Sequence, residues 1–470
     1  MSLLQAGQPT AFERVTQTAA RSWARLKGAR GLALKSVAAL AIFVLGAGLS
    51  FVAQFGAARL LGADAFGQFA YVCATATLLA SVSTLGFHVA LLRLLPAFSS
   101  RGEWGLARGA FRFAHVATVL ASAAVAVLAC AVAFRFTSAQ DGALLHAFWI
   151  GFAAIPFLAL QLVSSAATRA FGGVALALAP ERLVRDGSIV LLIGLAALGG
   201  VAPMSATTGV AAFLLSAVAT ALFAWLAARH LRPPVIASAA PVYEPASWMR
   251  LAPPLTILTL ADNLMARSGV LALGLAGLTR EAGVFAVAVG FAQLSALPRM
   301  AVATMFAPTV SGLHASGDRA GVQALATRSA WLSLFGALCV AIPLLLLLPL
   351  VLPTFGPGFE HGVAAAIILI ASQIFCAACG PQQHLLTMTG YERAGALLLS
   401  IAAVSAFAAS LLAVRDFGAI GAAIAMAIAQ VGWNLAMARF IRERLQVRPG
   451  ALPSVWIHAR DALARRRCDA

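Results

Sequence analysis

The sequence predicts an all-α, polytopic membrane protein with twelve transmembrane helices, in two pseudo-symmetric six-helix bundles around a central cavity. Three observations predict this class. Apolar stretches of about eighteen or more residues follow one another almost end to end, and in lipid a helix satisfies its backbone polar groups within one segment. Hydrophobic residues make up 61% of the chain and charged residues 10%, so no sizeable soluble domain fits between the stretches. Arg and Lys also alternate between abundant and scarce in successive linkers.

Hydropathy defines each predicted element in order. The spans are 36–60, 66–92, 108–134, 143–169, 174–199, 206–229, 251–276, 282–308, 322–352, 362–389, 393–414 and 417–440. They divide into a first half at 36–231 and a second half at 251–445, joined by a cytoplasmic linker at 232–250. Residues 1–35 are predicted to be a basic arm, either an amphipathic helix on the membrane surface or partly disordered. Residues 446–470 form a basic cytoplasmic tail.

Linker charge predicts the topology. The even-numbered linkers hold Arg93, Arg101, Arg108 and Arg112, then Arg169, Arg182 and Arg185, then Arg229, Arg232 and Arg250, then Arg319 and Arg328, then Arg393. The odd-numbered linkers hold only Arg59, Arg135, Arg280 and Arg415. The positive-inside rule therefore places both termini in the cytoplasm of an inner-membrane protein. The formal net charge of +17 then reflects topology against anionic lipid, and we predict no nucleic-acid partner.

An internal repeat links the two halves. Leu60-Leu61-Gly62 ends the first span as Leu275-Ala276-Gly277 ends the seventh, and Phe69 and Phe285 then stand in corresponding places. A second sequence similarity relates the stretch that begins at Gly209, before the sixth span, to the stretch that begins at Gly418, at the twelfth. Two halves in the same orientation imply a pseudo-twofold axis along the membrane normal. Such a body can rock about a central cavity, which gives alternating access. The alternative is coincidence, because small residues recur at membrane helix interfaces.

Three sequence stretches carry a family resemblance. They are ARLLGADAFGQFA at 58–70 with Leu85, Gly86 and Arg93 after it, FAPTVSGLHASGD at 306–318, and FGAIGAAIA at 417–425. Together they resemble the polysaccharide and O-antigen flippases, which are transporters of lipopolysaccharide and exopolysaccharide biosynthesis in the multidrug/oligosaccharidyl-lipid/polysaccharide exporter superfamily. The resemblance covers about residues 36–445.

The resemblance implies a flippase that moves a lipid-linked oligosaccharide, carried on undecaprenyl pyrophosphate, from the cytoplasmic to the periplasmic leaflet. It implies membrane lipids, a polysaccharide polymerase and glycosyltransferases as partners, and no cofactor. The chain departs from the lipid II flippase branch, which is similar in its core but normally has more helices. It also departs from the drug-exporting branch, because the acidic residues of the first half are few and fall at linkers or helix ends. They include Asp64, Asp141, Glu181 and Asp186.

Ionisable residues inside the spans are the candidate site. A charge at bilayer depth costs about 2.5–3.5 kcal/mol on insertion scales, so it normally faces a wet cavity or a partner. Asp262 and Arg299 fall at similar depth on the seventh and eighth spans, and we hypothesise that they face each other. Arg299 would then bind the diphosphate, while Asp262 would compete for it or take a coupling cation. The alternative is a buried ion pair that fixes helix register.

Arg267 has no carboxylate one helical turn away, since Asp262 lies five residues back. It therefore needs water, a neighbouring helix or a ligand, and its planar guanidinium suits phosphate. The alternative is that it snorkels to the nearer membrane surface. Arg59 and Arg93, at opposite ends of the first hairpin, are candidate substrate contacts at a gate or cavity mouth, or interfacial anchors.

Neutral amides and ion pairs complete the candidate site. Gln54 and Asn263 are candidate ligands for sugar hydroxyls, as are Gln293 and Asn434, although each amide could instead bridge helices. Glu181 with Arg185, and Arg182 with Asp186, are spaced for pairs within the fifth helix. They would neutralise charge at the inner rim or form a cation gate.

Other function classes fit the sequence less well. We found no phosphate loop, nucleophilic triad or metal-spaced His/Cys set, and we predict no enzyme. Cys376 and Cys379 lack the second ligand pair of a metal site, so we predict core packing. The remaining alternatives are a cation-coupled multidrug antiporter of the same fold and a scaffold in an envelope complex.

Overall fold

The computed structural model describes residues 11–136, 142–200 and 204–451. These residues form helices and short turns without a β-strand, which confirms the all-α class. The α-helices are α1 Ala11–Ser83, α2 Phe87–Arg101, α3 Trp104–Phe136, α4 Gly142–Ala153, α5 Ile155–Ala170, α6 Val174–Ala179, α7 Asp186–Gly199, α8 Ala206–Leu231, α9 Pro234–Ser238, α10 Pro245–Leu275, α11 Thr279–Ala315, α12 Arg319–Val351, α13 Val363–Cys379, α14 Gln382–Met388 and α15 Glu392–Leu445. Of the two predicted basic ends, residues 1–10 and 452–470 lie outside the described residues.

Eight described segments are long and apolar enough to cross a membrane, so the molecule is a multi-pass membrane protein. The segments 45–101 and 392–445 contain non-helical backbone at Gly62 and Gly418. Each of the two is longer than one crossing requires, because about 20 helical residues span the hydrocarbon core. The count of eight leaves out the predicted fifth and seventh spans. The helices thus follow the twelve predicted spans in order, but the number of twelve membrane crossings is not confirmed.

Several predicted spans contain a break. The second span is divided between α1 and α2, where Leu85 and Gly86 adopt φ of 50° and 73°. The tenth is divided at Gly380, with φ 75°, followed by Pro381. Proline removes a helical hydrogen bond, so it favours a break at this point. By contrast, Pro298 lies inside the continuous helix α11.

The repeat is visible as a helix crossing between the halves. A Cβ atom on Gly67 would lie 1.8 Å from the carbonyl oxygen of Thr279, and one on Gly283 would lie 2.7 Å from that of Ala63. Gly67 and Gly283 stand at equivalent positions if Phe69 is matched to Phe285. The contact is therefore reciprocal, which places a pseudo-twofold axis between the two glycines. Only a residue without a Cβ permits so close an approach of two helix backbones.

Further contacts close the same end of the molecule. Gln54 donates a hydrogen bond of 2.8 Å to the carbonyl of Ala286, and Arg59 donates one of 2.7 Å to that of Thr354. Phenylalanines of the two halves pack between them as the pairs Phe51–Phe291, Phe55–Phe355 and Phe66–Phe359. We call these contacts, with the Gly67–Gly283 crossing, the sealed end. The predicted topology assigns it to the periplasmic side.

Candidate functional site

The fifth predicted span has an irregular path that brings charges into the bundle. It consists of α6, a π-helix at Pro180–Arg185 and α7. π-helical turns inside α-helices occur frequently at functional sites. This one carries Glu181, Arg182 and Arg185, and Asp186 follows it directly.

Arg185 lies between the two carboxylates of this segment. Its guanidinium is 3.9 Å from Glu181 and 3.3 Å from Asp186, so the predicted Glu181–Arg185 pair is present. Asp186 is buried and accepts a hydrogen bond from the hydroxyl of Ser50 on α1. The side chain of Glu181 is 40% exposed. The segment therefore borders an accessible space, although it lies near the middle of its span.

Arg267 of the second half joins this segment. Its guanidinium interacts electrostatically with Arg185 and Glu181, and with Cys73 on α1. At about 1.5 Å per residue, Cys73 lies about 16 Å from Gly62 and Arg267 about 12 Å from the end of α10. Both distances correspond to about half the thickness of a bilayer core of about 30 Å.

The site as a whole has an excess of positive charge. Glu181 interacts electrostatically with Arg169, Arg182, Arg185 and Arg267. With Asp186, the site holds four guanidinium groups and two carboxylates, which is a formal excess of two positive charges. We call these six residues the arginine cluster. Moreover, Nε of Arg267 is buried and has no hydrogen-bond partner among the described residues. A buried donor without an acceptor costs about 1–3 kcal/mol, so the cluster is suited to bind an anion.

Arg299 lies apart from the arginine cluster. It acts electrostatically on Cys376, Cys379 and His384, which all belong to the second half. Its Nε is also buried and without a partner among the described residues. We call these four residues the Arg299 site. They lie where the tenth span breaks between α13 and α14.

Asp262 and Arg299 are not joined as we hypothesised from the sequence. Within the described residues, neither side chain forms an ion pair. Asp262 is exposed, one helical turn from Thr259, whose hydroxyl lies 3.3 Å from Nε2 of His88 in the first half. Asp262 therefore lies one turn along α10 from a contact between the two halves. Asn263 beside it donates to the carbonyl of Thr259, which leaves its amide oxygen for other contacts.

The other predicted site residues lie elsewhere. Gln54 and Arg59 belong to the sealed end. Arg93 is exposed on α2. Asn434 is buried and donates to the sulfur of Cys376 and to the carbonyl of Gln430, which is a helix-bridging contact. Of the residues predicted to contact the substrate or a coupling cation, only Arg267 belongs to the arginine cluster, where it joins the charged residues predicted to pair within the fifth span.

Sequence reasoning placed Glu181, Arg185 and Asp186 at the inner rim of the fifth span and missed their association with Arg267. Four charges within six residues were visible as a signal. Charges are rare inside spans and usually functional. Their partner on α10 could not be read from spacing, because it belongs to the other half.

No family model and no curated protein matches this chain. Several solved structures, however, are similar to it. The chain is similar to an inward-facing multidrug resistance MATE family transporter of the MOP superfamily, with TM-score 0.70 and 14% identity over 84% of this chain and 94% of that one. It is similar to the lipid II flippase MurJ in an inward closed conformation, with TM-score 0.67 and 14% identity over 85% and 86%. A MOP superfamily transporter from Pyrococcus furiosus gives TM-score 0.61 and 12% identity over 87% and 95%.

These matches show that the chain has the fold of MOP superfamily transporters, as the sequence resemblance predicted. An outward-facing MATE structure gives a lower TM-score of 0.60.

Proposed function

We propose that this protein is a flippase for a lipid-linked oligosaccharide on an undecaprenyl pyrophosphate carrier. It moves this substrate from the cytoplasmic to the periplasmic leaflet by alternating access, for the biosynthesis of a surface polysaccharide. In this proposal both termini are cytoplasmic, and a polysaccharide polymerase and glycosyltransferases act on the same glycan.

The positive charge of the arginine cluster is the observation that carries this proposal. A diphosphate is a compact anion with several acceptor oxygens, and guanidinium groups bind such oxygens in pairs. Arg185 and Arg267 come from different halves, so an anion between them contacts both halves at once. The unpartnered Nε of Arg267 would gain an acceptor on binding.

Alternating access requires the sealed end to open. In this structure, Gly67 and Gly283 hold the halves in backbone contact at that end. Rocking of the two halves about the central cavity would separate Gln54 and Arg59 from their carbonyl acceptors on the second half. Because these bonds are few, the substrate's interactions with both halves can offset their loss.

The fold neighbours support transport but leave the cargo open. One is described as a lipid II flippase and another as a multidrug resistance transporter. The charge of the arginine cluster favours the anionic lipid-linked cargo over a cationic drug, since Glu181 and Asp186 already have arginine partners.

Flipping in proteoliposomes tests the proposal. The assay follows loss of a pyrophosphate-linked saccharide from the leaflet where it is supplied. We expect Arg267→Ala to reduce the initial rate by about tenfold to a hundredfold, since a hydrogen bond to a charged group contributes about 1.5–3 kcal/mol. Arg267→Lys should recover only part of the rate, because an ammonium group lacks the planar fork.

The matched control is Arg135→Ala, which removes an exposed arginine at the end of α3. It should flip substrate at the wild-type rate. A wild-type rate in Arg267→Ala, with the variant folded and inserted, would remove the arginine cluster from the mechanism. No flipping by the wild-type protein with several glycan carriers would contradict the proposed function itself.

A cation-coupled multidrug antiporter is the second candidate. Asp262 favours it, because this carboxylate is exposed within a predicted span and has no ion-pair partner among the described residues. Drug efflux from loaded vesicles under an imposed sodium or proton gradient separates the two functions. Efflux that is lost in Asp262→Asn and unchanged in Arg267→Ala would favour the antiporter.

A further inference from the structure

The described part of the tail turns back onto the second half. Gln446 has φ 57° and ends α15. The backbone of Arg448 then forms two hydrogen bonds with the side chain of Gln323 on α12, of 2.7 and 2.9 Å. The amide of Ala451 donates to the carbonyl of Ala378 on α13. Val447 is 3% exposed and Ala451 is fully buried. These residues are therefore part of the packed second half.

This return path closes one side of a cavity of about 340 Å³, which we call the tail cavity. Val447 and Leu445 line it on the tail side. The turns before α12 and α15 line the remainder. Its polar lining consists of His314, Asp318, Arg319, Thr389, Tyr391 and Arg444. A volume of this size falls within the usual range for small-molecule sites, about 300–1,000 Å³.

The lining combines positive charge with unused donors. Arg319 and Arg444 form no ion pair among the described residues, and the hydroxyl of Tyr391 forms no hydrogen bond there. The carboxylate of Asp318 is engaged, since it accepts a 2.8 Å hydrogen bond from the amide of Gly321 at the start of α12. Two guanidinium groups and a hydroxyl therefore remain to bind an anion.

We propose that the tail cavity binds a phosphate group. The cavity lies at the ends of α11, α14 and α15 that the predicted topology assigns to the cytoplasm. Headgroups of the inner leaflet lie at this level, and that leaflet is negatively charged. The position favours an anionic phospholipid headgroup as the source of the phosphate. The site is separate from the arginine cluster and does not depend on the transported substrate.

Lipid binding to the purified full chain tests this proposal. Native mass spectrometry in detergent compares bound dioleoylphosphatidylglycerol with dioleoylphosphatidylcholine. We expect the wild type to prefer the anionic lipid and the Arg319→Ala/Arg444→Ala variant to bind it about thirtyfold more weakly, since each of the two basic residues contributes about 1 kcal/mol at an anionic surface. Gln323→Ala, which releases the tail without removing a charge, should also weaken binding.

The matched control is Arg439→Ala/Arg442→Ala, which removes two exposed arginines of α15 that do not line the cavity. It should keep the preference for the anionic lipid. Equal binding by the two double variants, or no preference in the wild type, would overturn the proposal. Since Arg319 is exposed, Arg319→Gln alone provides the same test if the double variant does not fold.

Soluble anions distinguish the source of the phosphate. Inorganic phosphate and pyrophosphate are added to the wild type and to the Arg319→Ala/Arg444→Ala variant, and thermal unfolding is followed. Stabilisation of the wild type alone by these anions, equal to that by the anionic lipid, would support the phosphate site and assign it a soluble ligand. Stabilisation by the lipid alone would support the headgroup.

Discussion

The fifth and eleventh spans occupy equivalent positions in the two halves but differ in charge. The fifth is divided by a π-helix at Pro180–Arg185 and carries two arginines and two carboxylates between 181 and 186. The eleventh is the part of α15 before Gly418, and it has no charged residue between Arg393 and Arg415. Equivalent positions of the fold therefore hold a charged span in the first half and an uncharged span in the second.

The eleventh span serves packing. Leu399, Ala403 and Ala406 form a buried cluster with Ala261 and Met265 of α10. This cluster supports the helix that carries Arg267. The comparison indicates that the first half supplies most of the arginine cluster, while the second half contributes one arginine from a firmly packed helix.

The largest expected effect is the loss of Arg185 from the fifth span. Arg185→Ala leaves Glu181 and buried Asp186 without this partner, and breaking such a pair destabilises a protein by about 3–5 kcal/mol. We expect low expression and early thermal unfolding. Combining it with Glu181→Gln and Asp186→Asn should restore much of the stability. Normal unfolding of Arg185→Ala would mean that the charges of the fifth span are solvated rather than paired.

A second prediction concerns the crossing of Gly67 and Gly283, which occupy equivalent positions in the two halves. Gly67→Ala forces a methyl group against the carbonyl of Thr279, and overpacking costs about 1–3 kcal/mol. We expect separation at the sealed end, measured as increased labelling of a cysteine introduced at Ala286. Gly56→Ala on the same helix has open space around it and should label as the parent does. Equal labelling of the two variants would contradict the close crossing.

A third prediction compares Arg299 with Arg267. Arg299 lies entirely within the second half, beside Cys376 and His384. Its removal should therefore lower the flipping rate only about threefold or less, against the larger loss in Arg267→Ala. Both rates are normalised to inserted protein. A loss as large as that of Arg267→Ala would mean that the second half has an anion site of its own.

The smallest expected effect is at Arg59. This residue is exposed, and its bond to the carbonyl of Thr354 is one contact of the sealed end. Arg59→Ala should lower stability by no more than about 1 kcal/mol, which is typical of exposed interactions of charged groups. Thermal unfolding measures this change, with Arg135→Ala as the control. A larger loss of stability would mean that Arg59 contributes strongly to holding the two halves together.

The sequence prediction was most successful for properties that belong to one segment. The helices follow the predicted spans in order, and the chain has the predicted fold of MOP superfamily transporters. The repeat read from Phe69 and Phe285 is reflected in the reciprocal contact of Gly67 and Gly283. The Glu181–Arg185 pair was predictable because both residues lie on one helical segment.

The candidate site was predictable only in its residue types. Arg267 was identified as an arginine that needs a partner, but its neighbours Arg185 and Glu181 come from the other half. Asp262 and Arg299 have similar depth on adjacent spans, yet depth alone does not determine which way two helices face. Their rotation is set by packing against further helices, which is a tertiary property.

The sequence by itself determined that this chain is a helical membrane protein and where its apolar segments lie. Those properties depend on the hydrophobicity of each segment and on its need to satisfy its own backbone in lipid. Only the tertiary structure decided that the fifth span breaks at Pro180–Arg185, that Gly67 meets Gly283, and that Arg267 joins the charges of the fifth span. These contacts join residues far apart in the chain, so they depend on how whole helices pack.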